Sequence, residues 1–269
     1  MRHLFGYTCV SIFVLTFWFT PASASVIYAV AGDYTGAVPT RLYEIDPDAQ
    51  TTNILEEFDP VASGLGVMGS IGVGANPGEL FVGFATSTTT SLLRSYSISG
   101  GSFSDVGAGE PAPIVGIGGT YFGAGGFILG GGNDFYSIDP ISGVSTVVGT
   151  SPYPFAGDLA QDPTSGTLYA ATSNPLLVTV DPSDASMASL GALSDFMIGL
   201  AFTQDGRLWG LSSANQLFEI DPSDGSTTFS MNLLGGSFDL ASEIALIPEP
   251  STALLLGFGL LALGAGRRH

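Results

Sequence analysis

The chain of 269 residues has no lysine and a single cysteine, Cys9, and its two histidines, His3 and His269, stand at its ends. All six basic residues are arginine, and Arg2, Arg267 and Arg268 are again terminal. Between residues 25 and 247 there is therefore no Cys, His or Lys. Without histidine no Ser-His-Asp or Cys-His nucleophile pair forms, and without lysine no Schiff base or Ser-Lys dyad. Zinc sites of the His/Cys type and disulfides are excluded as well. What survives is carboxylate chemistry or oxygen-ligand calcium binding, so the body reads as non-enzymatic, with no cofactor required.

Positive charge is equally scarce. Of the 24 carboxylates only Glu249 lies outside residues 25–247, so 23 acids face Arg41, Arg94 and Arg207, a formal −20. Nucleic acid is excluded as a partner, because neutralising phosphates requires basic side chains. A body this acidic repels anionic polysaccharide unless divalent cations bridge the two, which leaves neutral glycans or a cation-bridged matrix as contacts.

Both ends look like addresses rather than fold. Residues 1–24 combine a short basic start (Arg2, His3), the apolar run Val10 to Phe19, and Ala22-Ser23-Ala24 ahead of Ser25. Small residues at Ala22 and Ala24 are a signal-peptidase pattern, which predicts a secretory signal peptide. Cys9 precedes the apolar run, so it is not the lipidated cysteine that follows such a segment. The other end reads Pro248-Glu249-Pro250, then the apolar stretch Ala253 to Ala265, then Arg267-Arg268. Thirteen apolar residues in a helix reach only about 20 Å, short for a permanent membrane anchor.

The order of these three parts resembles the PEP-CTERM sorting signal of Gram-negative exported proteins. The resemblance covers residues 248–269 alone. It implies that the secretion machinery carries the chain through the inner membrane, where the C-terminal hydrophobic helix holds it transiently. An exosortase would then cleave it for the cell surface or extracellular matrix. Flanking positive charge keeps the tail's end on the cytoplasmic side.

Residues 25–247 are repetitive. A large apolar residue, a spacer, Ile or Val, and Asp-Pro recur at Tyr43–Pro47, Tyr136–Pro140, Val178–Pro182 and Phe218–Pro222, with aspartates 93, 42 and 40 residues apart. The double gap holds a degenerate copy, Tyr96-Ser97-Ile98-Ser99-Gly100, making five. Apolar residues at i and i+2 predict a strand, and the following Pro and Gly predict a tight turn. Upstream recur Ile27-Tyr28-Ala29, Leu80-Phe81-Val82, Leu168-Tyr169-Ala170 and Leu208-Trp209-Gly210, with a looser Phe127-Ile128-Leu129. Small-residue segments such as Leu159-Ala160 and Leu200-Ala201-Phe202 precede them. Four strands in about 40 residues predict an all-β fold, a five-bladed β-propeller with small innermost strands. The first unit lacks a small-residue strand, and residues 239–246 resemble one. The N- and C-terminal strands are therefore expected to share one blade and leave no unpaired edge.

Several motifs invite chemistry. Gly64-Leu65-Gly66-Val67-Met68-Gly69 spells a dinucleotide fingerprint, but no helical pattern follows to hold a pyrophosphate. The glycine-dense Gly116 to Gly132 reads as an irregular third blade. Asp46 with Asp48 and Asp221 with Asp224 are the densest candidates for calcium, against the simpler role of Asp before Pro as turn initiator. Asp158 and Asp239 begin similar innermost strands. They are candidates for an acid and base pair in glycoside cleavage, against capping of backbone amides. Tyr34, Tyr121, Tyr153 and Phe155 fall in predicted loops where they would stack on sugars or proteins. Three functions follow: an exported surface or matrix component binding polysaccharide or protein, a carboxylate-dependent glycoside hydrolase or lyase, and a calcium-stabilised adhesion module. The missing residue types favour the first.

Overall fold

The computed structural model describes residues 26–31, 39–59, 67–73, 78–85, 91–107, 119–122, 126–131, 133–153, 155–203, 205–233 and 241–245. The expected signal peptide (residues 1–24), the expected sorting segment (248–269) and Tyr34 lie outside the described residues. Among those described, the secondary structure is β throughout, and no helix is long and apolar enough to cross a membrane.

Twenty strands pair into five four-stranded antiparallel sheets among the described residues. Sheet I takes β1 (Ile27–Ala31), β2 (Thr40–Asp46) and β3 (Thr51–Phe58). Sheet II takes β4 (Val67–Val73), β5 (Glu79–Ala85), β6 (Ser91–Ser97) and β7 (Ser102–Asp105). Sheet III takes β8 (Gly119–Phe122), β9 (Gly126–Gly131), β10 (Asp134–Ile138) and β11 (Ser145–Thr150). Sheet IV takes β12 (Phe155–Gln161), β13 (Leu168–Thr172), β14 (Leu176–Val180) and β15 (Met187–Ala192). Sheet V takes β16 (Met197–Phe202), β17 (Leu208–Ser212), β18 (Gln216–Ile220) and β19 (Thr227–Asn232). The last strand, β20 (Ala241–Ala245), returns to sheet I and pairs antiparallel with β1, so that sheet runs β20-β1-β2-β3.

The first strands β4, β8, β12, β16 and β20 contact one another in a closed circuit, which makes the arrangement propeller-like. One expectation holds and one shifts. The fingerprint-like run 64–69 leads into β4, a strand, and Tyr121 and Phe155 belong to β8 and β12 rather than to loops.

Strand alternation explains how a ring of sheets forms. In β1 every side chain is buried, which an isolated two-faced strand would not allow. Ile27, Ala29 and Ala31 enter an apolar cluster with Trp209, Leu211 and Leu217 of sheet V. Tyr28 and Val30, on the opposite face, enter a cluster with Ile71, Leu80 and Val82 of sheet II. The second strand of a sheet is therefore apolar at successive positions, because both of its faces are covered. Further clusters join sheets II and III through Phe81 and Ile138, III and IV through Phe135 and Leu168, and IV and V through Leu177 and Phe202. Each fully buried Leu, Ile or Phe contributes about 1.5–3 kcal/mol relative to exposure, so no sheet is stable without its neighbours.

The outermost strands carry the register device. In sheets I, III, IV and V the pairing of the third and fourth strands shifts by one residue ahead of Tyr43, Tyr136, Val178 and Phe218. Ile54, Val147 and Phe229, the residues opposite three of these, are exposed on the outer edges. A bulge twists an edge strand away from flat pairing with another chain, which offsets this exposed apolar surface.

Candidate functional site

Where side chains gather chemistry, they do so at the turns. The Asp-Pro segments join the third and fourth strands, and each aspartate folds its carboxylate back onto its own turn. Asp46 Oδ1 accepts from the amides of Asp48 at 3.0 Å and Ala49 at 2.8 Å. Asp139 Oδ1 accepts from Ile141 at 2.8 Å and Ser142 at 2.9 Å. Asp181 and Asp221 accept from the hydroxyls and amides of Ser183 and Ser223. Pro fixes the second residue, and the fifth takes a positive φ: 55° at Gln50, 74° at Gly143, 63° at Ala185 and 76° at Gly225. Turn initiation is thus the geometry the Asp-Pro residues adopt.

The electrostatics follow. Amide bonds from Ser142 and Ile141 hold the Asp139 carboxyl below its ordinary range, and the hydroxyls and amides of Ser183 and Ser223 do the same for Asp181 and Asp221. At Asp162 in the β12–β13 turn, burial pushes upward but bonds from Ser165 and Thr164 outweigh it, leaving a lowered value. A carboxylate committed to local donors in this way is stabilised in its charged form.

The four calcium candidates do not converge. Asp46 holds its turn, Asp224 Oδ1 accepts from the Ser226 amide at 2.8 Å, and Asp48 is bound by an arginine. Among the described residues no group of three or more acidic, His or Cys side chains is placed to hold a metal ion.

Asp158 is fully buried; its Oδ1 accepts from the Leu159 amide at 2.7 Å and its Oδ2 from the Leu200 amide of β16 at 3.0 Å. It is a staple between sheets IV and V, out of reach of a substrate. Asp239 lies outside the described residues, and the register corrects its supposed equivalence to Asp158. Leu159 pairs with Ala170, and the corresponding partner in sheet I is Ile244, opposite Ala29. The residue at the Asp158 position is therefore Glu243, four places further on. The sequence similarity of Asp-Leu-Ala at both strands misled because the register that β20 takes against β1 aligns Glu243-Ile244-Ala245, not 239–241, with Asp158-Leu159-Ala160.

One residue that the repeat pattern did not single out proves central. Arg207, at the end of the β16–β17 turn, donates from Nη1 and Nη2 to the two carboxylate oxygens of Asp48, each at 2.9 Å, and from Nε to Asp205 at 2.7 Å. Its guanidinium sits 5.1 Å from the Trp209 ring centroid. The hydrogen bonds it donates to Asp48 raise its pKa further, against the lowering effect of burial. The pair joins the last sheet to the first. Arg41 pairs with Glu57, and Arg94 pairs with Asp105 at 2.7 Å beneath the Phe84 ring, so all three body arginines are engaged. The scarcity of arginine in the body was the available signal for Arg207.

Beside the turns of sheets IV and V lie two equivalent open clefts of about 410 and 440 Å³. The first is lined by Thr167, Thr179, Asp181 and Ser186, the second by Arg207, Glu219, Asp221 and Ser226 in the same positions. Tyr153, a candidate for stacking, is half-buried against the cluster of sheets III and IV.

No family model matches the chain, and no curated protein matches it. Solved structures do. A chain of the nidogen/laminin complex superposes with a TM-score of 0.55 at 8% identity, covering 82% of this chain and 97% of that one. TolB from Acinetobacter baumannii gives 0.51 at 11% identity, covering 77% and 53%. A protein of unknown function from Bacteroides thetaiotaomicron gives 0.52 at 13% identity, covering 79% and 56%. The chain thus spans about half the length of these last two. At such identities the likeness shows the propeller-like fold and nothing finer.

Proposed function

We propose that the chain is an exported cell-surface or matrix component, a five-bladed β-propeller whose first blade is completed by its last strand and which binds polysaccharide or protein through its loops. The five sheets, the closed circuit of first strands and the β20–β1 pairing support the blade count. The observation that carries the export reading is the tail: Pro248-Glu249-Pro250, an apolar stretch and Arg267-Arg268 begin three residues after β20, where the ring is already closed. A segment that follows the last described strand of the ring fits the place of a processed sorting signal. Ala22, Ala24 and Ser25 supply the matching leader.

A non-enzymatic role is supported by the chemistry of the body. Asp46, Asp139, Asp181 and Asp221 are spent on turns, Asp158 on a staple between sheets, and Asp48, Glu57, Asp105 and Asp205 on arginines, and no histidine, cysteine or lysine is present between residues 25 and 247. At a formal −20, binding favours neutral glycans, or acidic ones through bridging cations.

The test is fractionation of cells producing the wild-type chain and a variant with Pro248, Glu249 and Pro250 all changed to Ala. The wild type is expected outside the inner membrane with the mass of a chain lacking the tail, and the variant in the membrane fraction at full tail length. Identical location and mass for both would overturn the sorting reading. Thermal melting with calcium, chelator and a polysaccharide panel then tests binding, which is expected to raise the melting temperature.

A further inference from the structure

In sheets IV and V a turn joins the first strand to the second, and in sheet IV it is Asp162–Gly166. Sheet I has no such turn, because its first strand is β20 and its second is β1. The chain enters at Ile27 and leaves at Ala245, and Tyr28 pairs directly with Ala245. Both ends therefore emerge where that turn sits in the other sheets. Successive antiparallel strands put the first-to-second and third-to-fourth connections at the same end of a sheet, so this is also the end carrying the Asp-Pro turns. The Arg207–Asp48 contact confirms the shared side, since it joins a first-to-second turn of sheet V to the Asp-Pro turn of sheet I. Three residues separate Ala245 from Glu249, and an extended chain covers about 10 Å over that length.

We infer that the acidic turn face of the ring is the membrane-facing side of the tail-held protein, and that the opposite face, with the second-to-third connections, is the one presented outward to ligands. The inference rests on reading residues 248–269 as a membrane-held tail. The charge on the turn face gives it a physical consequence. The carboxyls of Asp139, Asp162, Asp181 and Asp221 are held in their charged form by local donors, so anionic lipid holds the ring off the surface while neutral lipid lets it approach.

Thr164 and Asn174 are both exposed and lie at opposite ends of β13. Full-length chains carrying Cys9→Ser with either Thr164→Cys or Asn174→Cys are labelled with a fluorophore and reconstituted into phosphatidylcholine vesicles containing brominated lipid. The label at Thr164→Cys is expected to be quenched at least twofold more than that at Asn174→Cys, with the difference shrinking when phosphatidylglycerol replaces half the lipid. Equal quenching, or stronger quenching at Asn174→Cys, overturns the orientation while leaving the tail reading intact. Failure of the full-length protein to float with the vesicles overturns the tail reading, and the orientation with it.

Discussion

Two neighbouring interfaces of the ring are held in different ways. Between sheets IV and V the chain itself runs across, from β15 to β16, and the polar link is the buried carboxylate of Asp158 accepting the Leu200 amide. Between sheets V and I the chain also runs across, from β19 to β20, but the residues of the polar links are far apart in sequence. There the polar links are partly exposed, with Arg207 on Asp48 and the Gln50 amide on the Ser230 carbonyl at 3.3 Å. Both interfaces have comparable apolar clusters. Burial holds all the sheets together, while the seam between the last sheet and the first adds charge that salt can reach.

Close packing separates the two most strongly. At Gly191 in β15 an added Cβ would lie 1.6 Å from the Asp224 carbonyl oxygen of sheet V, and that oxygen belongs to the backbone. Gly191→Ala is expected to cost about 3 kcal/mol, lowering the melting temperature by roughly 6–12 °C for a body of this size. Gly206 provides the contrast. It has φ of 85° with nothing within 4 Å of an added Cβ, so Gly206→Ala is expected to cost only about 1–2 kcal/mol of backbone strain. Equal losses for the two variants in a calorimetric scan would show that the close contact of sheets IV and V is not made.

Removing the buried staple comes next. Asp158→Ala leaves the Leu159 and Leu200 amides without their carboxylate, and a loss of about 2–3 kcal/mol is expected in denaturant titrations. That loss should persist at high salt, because the site is buried. Arg207→Met at the seam is expected to lose only about 1 kcal/mol, since the pair is partly exposed, and the loss should largely vanish near 1 M salt. A salt-independent loss at Arg207→Met, or a salt-sensitive one at Asp158→Ala, would break the comparison.

Acid acts on both interfaces through the turns, and the effect per group is the smallest. Asp139, Asp162, Asp181, Asp205 and Asp221 all have lowered values in the folded protein. At Asp205 burial opposes the shift, but bonds from Thr203 and Arg207 outweigh it. A carboxylate lowered on folding contributes stability that is fully present above its unfolded value and is lost as pH falls through its folded value. The melting temperature should hold from pH 7 to about 5 on account of these groups and fall below about 4, where unfolded aspartate has begun to bind protons. A fall beginning near pH 6 would point to a different group.

Much of this fold is legible in the residues. The alternation at Tyr43 to Ile45 and its copies, the Asp-Pro turns and the doubly apolar second strands are local properties, set by side chains two to five positions apart. Even the completion of sheet I shows in the missing first strand. The site is less legible. Asp158 and Asp239 look alike in sequence, but the pairing of β20 with β1 puts Glu243 at the Asp158 position in sheet I. Register is decided by how two strands fit, not by either strand alone.

By itself the sequence determined the all-β class, the repeat, the turns and the chemistry that the body lacks, because each depends on residue type and short spacing. The tertiary structure alone decided that Arg207 meets Asp48 across the seam, that Asp158 is buried between two sheets, and that both chain ends leave on the acidic face. Those outcomes bring together groups as many as 159 residues apart. Only the closing of the ring sets their distances, and no local pattern of residues carries that information.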